Sequence, residues 1–287
     1  MNDGDTTSAG DEKKVNHFEI TAGGTLSDVQ DEFEGLETVD DRHVIGRRIV
    51  WHEETESTND DARLAAEAGE QEGLVVIADV QTAGRGRMSR TWTSPPGRDI
   101  LFSVLLRPDV TDLPKMPLVA GLAVARTLDA FTDQPVTLKW PNDVRVADRK
   151  ISGSLVESGS SKTGYFAIVG TGVNVNMDAF AHPEIAEIAT SLRTLTGESV
   201  SRREVMRKLL FEMDRIYSSP EQMGRLVSDW SSRLETIGQE IDVRWGGEFI
   251  HGVAEGVDET GRLLLRDGGG ELRLLEAGEV TTQLSGQ

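Results

Sequence analysis

Near residue 236 this 287-residue chain changes its hydrophobic rhythm, and the change limits the folds open to it. Before that point, strand-like runs alternate with helix-spaced ones. RRIVWHE, GLVVIADVQ, ILFSVLLRP and VTLKWPNDVRV read as strands, the last broken by Pro141. STNDDARLAAEAGE starts at a Ser/Thr cap and continues as a helix through Leu64, Ala65 and Ala68. MPLVAGLAVARTLDAF and SRREVMRKLLFEMDRIYSS, with the segment up to Trp230, are further helices, and SGSLVES and TGYFAIVGTGVNVN pair as a hairpin across the SGSSKTG turn. After that point, IDVRW, EFIHGVAEGVD, GRLLLRDG, GELRLLEAGEV and TTQL are short strands parted by GG, DETG and DGGG turns. The pattern predicts a polar, partly disordered segment over 1–44, a mixed α/β (α+β) domain of sheet and helices over 45–236, and a small β-barrel over 237–287.

Composition narrows the function. The 49 acidic residues outnumber the 30 basic ones, for a net charge of -19, so most of the surface repels nucleic acid and anionic lipid. Lysine is scarce, and the surplus of carboxylates resembles proteins that stay soluble in concentrated salt. The absence of cysteine excludes disulfides and thiolate metal sites and suits an intracellular protein. MNDGDTTSAGDEKK lacks the basic start and apolar middle of a secretory signal, and no apolar run approaches the roughly 20 residues of a membrane span. The expectation is a cytoplasmic protein that binds neither membrane nor DNA, because residues 1–44 lack the length and periodicity of a helix-turn-helix unit.

Against this acidity, QTAGRGRMSRTW (residues 81–92) concentrates Arg85, Arg87 and Arg90 among the glycines Gly84 and Gly86. Guanidinium groups on a mobile backbone suit an anion, although a single GRGR reads equally well as a basic surface loop. It is neither a Walker phosphate loop nor a dinucleotide fingerprint. KWPNDV (139–144) sets a lysine, an aromatic, a carboxamide and a carboxylate side by side, and also reads as a strand end and turn. KISGSLVE (150–157) places Lys150 beside small residues that leave room for a ligand; GTGVNVN (170–176) brings glycines to another strand; ESTND (56–60) opens a helix with Ser57, Thr58 and Asn59. Five such stretches in this order point to one site.

Over residues 45 to about 285 these stretches resemble the signature segments of the biotin–protein ligases, in the form without an N-terminal DNA-binding winged helix. The resemblance implies a class II synthetase-like catalytic domain with a C-terminal SH3-like barrel. The implied reaction activates biotin with ATP to biotinyl-5'-AMP, then transfers biotin to a lysine of a biotin carboxyl carrier domain. By the same resemblance Ser57, Thr58, Asn59, Gln81, Gly84, Gly86 and Gly153 hold biotin, with Arg85 and Arg87 in a loop that closes over it. Lys150 meets the biotin carboxylate and the α-phosphate, so that Lys150, Arg85 and Arg87 carry the catalysis. Arg87, Arg90, Trp92, Asn142, Asp143, Lys150 and Asn174 take the nucleotide side, with magnesium near Asp143, and a homodimer is the expected assembly.

The chain departs from the family pattern at three places. Ser89 stands where the loop usually ends in glycine, which implies a stiffer hinge; Thr171 and Val173 replace common isoleucines; and the N-terminal residues do not resemble a winged helix. Two other readings share part of the pattern. A lipoate or octanoate ligase or transferase shares the catalytic fold, and a biotin-sensing DNA-binding regulator would need a basic reading head. The transfer to the carrier lysine needs no enzyme nucleophile. The activation joins two anions, for which a lysine between them and arginines closing from a loop are suited, while a closed loop keeps water from the mixed anhydride.

Overall fold

GLVVIADVQ is apolar without a break from Leu74 to Ala78 because the strand it forms is covered on both faces, and its one interior charge, Asp79, is buried against Arg202. Val75 and Ile77 face one core, and Leu74 and Val76 face another. Each side chain of this kind contributes roughly 1.5–3 kcal/mol on burial. The computed structural model describes residues 32–33, 35–36, 43–181, 185–245, 247–276 and 278–282. The chain enters at β1 (Arg48–Thr55), continues through α1 (Thr58–Glu67) and returns in β2 (Leu74–Gln81), parallel to β1. β3 (Ile100–Leu106) and α2 (Met116–Leu128) follow. Next come β4 (Val136–Lys139), β5 (Asp143–Val146), β6 (Arg149–Ser161) and β7 (Gly164–Val173). The seven strands lie in the order β1-β2-β3-β7-β6-β5-β4, antiparallel at every joint except β1 with β2.

Helices cover both faces of this sheet. α1 packs its Ala62 and Ala66 with Leu105, Phe166 and Ile168. The other face receives α2, α4 (Arg202–Tyr217) and α5 (Pro220–Ser231), preceded by the short α3 (Leu192–Thr196). Local chemistry starts these helices where the sequence says they should start. Ser201 accepts from the Glu204 amide at 3.2 Å and Ser219 from the Gln222 amide at 3.4 Å, each satisfying a free N–H of a first turn. Among the described residues no helix is long and apolar enough to cross a membrane.

The last part of the chain forms β8 (Glu240–Trp245), β9 (Glu248–Val257), β10 (Leu263–Asp267), β11 (Leu272–Leu275) and β12 (Glu279–Thr282). They make a five-stranded antiparallel sheet in the order β11-β10-β9-β8-β12. Ile241, Val243, Leu263, Leu265 and Val280 belong to the same apolar cluster as Trp140 of the first sheet. Trp140 Nε1 also donates to the Gly261 carbonyl at 3.1 Å, so the second sheet is packed and hydrogen-bonded against the first.

Four expectations need correction. VTLKWPNDVRV is not one strand: it folds back on itself as the β4–β5 hairpin, Lys139 opposite Asp143, with a cis Trp140–Pro141 bond in the turn. The proposed SGSSKTG turn shrinks to Lys162 and Thr163, because β6 and β7 stay in register from Ser152↔Val173 to Ser161↔Gly164. Within that run the ring of Phe166 lies over Gly159, where a Cβ would come within 2.5 Å of it. GELRLLEAGEV divides into β11 and the start of β12, and Thr281 and Thr282 complete β12 instead of forming a further strand. Lastly, the polar segment 1–44 is not wholly apart from the core: among its described residues Phe33 and Leu36 are buried in the main cluster, and Glu32 pairs with the buried Arg202. The expected partial disorder of this segment falls on residues, 1–14 among them, that lie outside the described ones.

Candidate functional site

The N-terminus of α1, the 81–92 loop, the β4–β5 turn and the glycines of β6 and β7 surround a cleft of about 240 Å³. Gly278 and Val280 of the second sheet close part of its wall. Glycine is required at its floor. A Cβ on Gly172 would lie 2.4 Å from the Trp92 ring, one on Gly170 2.1 Å from Asn59 Oδ1, and one on Gly153 2.9 Å from Lys150 Nζ. At Gly172 and Gly170 backbone and side chain therefore approach more closely than a residue with a Cβ permits, whereas at Gly153 the neighbour is the movable end of a lysine.

At the helix end, Gln81 Oε1 accepts from the Thr58 amide at 2.9 Å and from the Thr58 hydroxyl at 3.0 Å. The Ser103 hydroxyl lies 2.7 Å from Thr58 Oγ1 and 2.6 Å from Asn59 Oδ1. Asn59 Nδ2 donates to Glu157 at 2.7 Å, so both ends of this carboxamide are engaged by protein. Ser57, the buried N-cap, makes no side-chain bond to the helix, which leaves its hydroxyl for other partners.

At the opposite end, Lys150 Nζ lies 2.6 Å from Asp143 Oδ1 and 5.4 Å from the centroid of the Trp92 ring. Arg87 donates to Asn142 Oδ1 at 3.2 Å, and Asn142 Nδ2 donates to the Ser154 carbonyl at 2.7 Å. Burial holds the Arg87 guanidinium below its ordinary range, opposed by the charge of Asp143, and burial likewise lowers Lys139. Arg85, Arg87, Arg90, Lys139 and Lys150 line the cleft against one carboxylate, Asp143, within a chain of net charge -19. Such a cleft attracts anions. Trp92 Nε1 is buried without a hydrogen-bond partner.

The structure thus brings most of the sequence-derived residues to one cavity: Ser57, Thr58, Asn59, Gln81, Arg85, Gly86, Arg87, Arg90, Trp92, Asn142, Asp143, Lys150 and Gly153. Gly84 and Asn174 do not line it. Gly84 instead lets the loop close on itself: its carbonyl accepts from the Trp92 amide at 3.0 Å, and a Cβ there would lie 2.4 Å from the Trp92 carbonyl. Asn174 Nδ2 donates to the Thr190 carbonyl at 3.0 Å, and the Thr190 amide donates to the Lys150 carbonyl, so Asn174 braces the lysine's backbone. Sequence reasoning missed Asp60, Ser103 and Glu157. For Glu157 a signal existed: Gly153, Leu155 and Glu157 alternate along β6 and share a face.

Among the described residues no cluster of three or more His, Asp or Glu is placed to hold a metal by itself. Asp143 is a hard oxygen donor beside the cationic groups. That fits magnesium delivered on nucleotide phosphates, which needs one or two carboxylates from the protein.

Comparison with known proteins agrees with the geometry. Residues 51–174 match the biotin/lipoate A/B protein ligase family, and residues 236–281 match the biotin protein ligase C terminal domain. The chain is 33% identical over 266 residues to the bifunctional ligase/repressor BirA of Bacillus subtilis, covering 90% of this chain and 80% of that protein. The chain belongs to the biotin protein ligases. It is also 36% identical over 253 residues to the biotin–[acetyl-CoA-carboxylase] ligase of Mycobacterium tuberculosis, across 83% of this ligase and 91% of that one. Biotin protein ligase from Aquifex aeolicus, solved with biotin and ATP, superposes with a TM-score of 0.68 at 33% identity. The match covers 81% of this chain and 97% of that chain.

Proposed function

We propose that this ligase activates biotin with ATP and transfers it to a lysine of a biotin carboxyl carrier domain. The observation that carries the reading is the convergence of all five sequence stretches on one anion-attracting cleft. In the first step a biotin carboxylate oxygen attacks the α-phosphorus of ATP and pyrophosphate leaves. Lys150 stands between the two anions, and its point charge lowers their mutual repulsion. Arg87 adds a half-buried charge from the loop side, where it acts on the phosphoryl oxygens as their charge grows. Ser57, Thr58 and Gln81 take the polar head of biotin, while Asn142, Asp143, Arg90 and Trp92 take the nucleotide side. Asp143 would hold magnesium brought with the nucleotide, which would supply further charge neutralisation there. In the second step the carrier amine attacks the acyl carbon, AMP leaves, and the amine gives up its proton.

On this reading residues 45–236 form the catalytic unit and residues 237–287 a second unit closing its wall. The enzyme works in the cytoplasm, as a homodimer, and does not bind DNA: the acidic surplus within residues 1–44 opposes the repressor half of its Bacillus relative's activity. The test is exchange of labelled pyrophosphate into ATP with magnesium in high salt, with biotin, lipoate and octanoate in parallel. Exchange with biotin alone is expected. Exchange only with lipoate or octanoate would move the protein to the neighbouring acyl ligases.

A further inference from the structure

Arg85 spends its guanidinium on carboxylates. Its Nη1 and Nη2 donate to Asp60 Oδ2 and Oδ1 at 2.6 and 2.7 Å, and Nη2 also lies 3.3 Å from Glu157 Oε2. Neither partner is on the loop: Asp60 is the third residue of α1, and Glu157 lies in the second half of β6. Glu157 in turn accepts from Arg63 at 2.6 Å and from Asn59 Nδ2 at 2.7 Å. One carboxylate therefore ties the loop, the start of the helix and the floor strand together. The loop's root is itself a small ladder, with Arg85 bridged to Thr91 and the Gly86 amide donating to the Arg90 carbonyl at 2.7 Å. Holding Arg85 holds both legs, and the tip from Arg87 to Ser89 projects beyond them.

We infer that Asp60 and Glu157 are a latch for Arg85, which makes these three positioning residues and leaves Arg87 as the loop arginine that meets the reacting anions. A bidentate arginine–carboxylate pair has planar geometry that fixes direction as well as distance, which a single point charge does not. The Arg85 hydrogen bonds hold Asp60 below the usual carboxylate range, so the pair is charged at neutral pH. Glu157 meets opposing influences: burial pushes it up, and the Asn59 amide and Arg63 guanidinium more than offset this. Because Glu157 also orients Asn59, the latch couples the head-group end of the cleft to the loop. The inference rests on the proposed biotin activation for its kinetic consequence, though the latch itself is a matter of geometry.

A double-mutant cycle separates a latch from an anion-contacting arginine. Asp60→Asn, Arg85→Gln, the double variant and Glu157→Gln are compared with the parent by biotin-dependent pyrophosphate exchange, with thermal melting confirming the fold. A latch predicts that each single change raises the KM for biotin roughly tenfold, with kcat altered less than about threefold, and that the double variant is no worse than either single. Asp60→Asn resembling the parent while Arg85→Gln loses kcat about a hundredfold, with effects that multiply, would overturn it. Limited trypsin digestion at the loop arginines needs no catalysis: faster cleavage in Asp60→Asn and Glu157→Gln than in the parent supports the latch, and equal rates refute it. A parent without biotin-dependent exchange would defeat the functional reading and leave the digestion to decide the latch.

Discussion

Lys150 sits at a junction of charge and shape: a carboxylate at 2.6 Å, an indole face at 5.4 Å, and glycine backbone where any side chain would collide with it. Lys150→Ala removes the cation that stands between two reacting anions. The expected result is a fall in pyrophosphate exchange of roughly two to three orders of magnitude, the effect of deleting one preorganised charge-stabilising group, with an unchanged melting temperature. Exchange at the parental rate would place the chemistry elsewhere. Gly170 tests the floor in another way. Its missing Cβ is the space occupied by Asn59 Oδ1, so Gly170→Ala must push away a carboxamide already held by Ser103 and Glu157. A loss of about 1–3 kcal/mol is expected from such overpacking, read by melting, together with weaker biotin binding by titration. An alanine variant that matched the parent in both would show that Asn59 is free to move.

Among the elements, the loop tip carries the backbone cost. Met88 and Ser89 have φ of 54° and 59°, a left-handed conformation that costs a non-glycine residue roughly 1–2 kcal/mol. The family pattern has glycine where Ser89 stands, and the positive φ gives that preference a physical reason. Ser89→Gly should relieve this strain and widen the conformations open to the tip, so tryptic cleavage at the neighbouring arginines should quicken; unchanged or slower cleavage would mean that Ser89 does not stiffen the hinge. The elements also show where sequence reading succeeded. Strands and helices with strong periodicity fell where apolar spacing put them. The β4–β5 hairpin was misread because Val136, Leu138, Val144 and Val146 alternate as one strand would; only their pairing across the Trp140–Asn142 turn reveals two. Ser103 belongs to no motif, so nothing local marks it, and Asp60, although it closes ESTND, shows its role only through a partner 25 residues away; the five motif stretches themselves needed no fold to be found.

For the whole molecule, two features decide behaviour. Trp140 joins the sheets, sharing one apolar cluster with Val280 and other residues of the second sheet and donating to the Gly261 carbonyl. Trp140→Phe keeps an aromatic ring and leaves that carbonyl without its donor, at an expected cost of about 1–3 kcal/mol; a melting temperature equal to the parent's would show that water or a shift of the turn replaces the bond. The net charge of -19 acts on every part at once. Carboxylates repel one another in the compact state, and molar salt shortens the Debye length to about 3 Å. The melting temperature in 2 M potassium chloride should therefore exceed that in 0.1 M. A lower value would mean that ion pairs such as Arg126–Asp229 and Arg85–Asp60 matter more to stability than overall repulsion.

The sequence alone determined most of the order of strands and helices, though not the β4–β5 hairpin or the bounds of β12, together with the change of pattern near residue 236 and the residue types needed to bring two anions together, because periodicity and turn chemistry are local. Only the tertiary structure decided what those residues do with one another. It placed Arg85 against Asp60 and Glu157, 25 and 72 residues away in sequence, turned Asn174 away from the cleft to brace Lys150, and drew Phe33 and Leu36 into a core that their polar surroundings conceal. Charge pairing and burial depend on distances in space, and along this chain those distances are set by how β6, β7 and α1 come together.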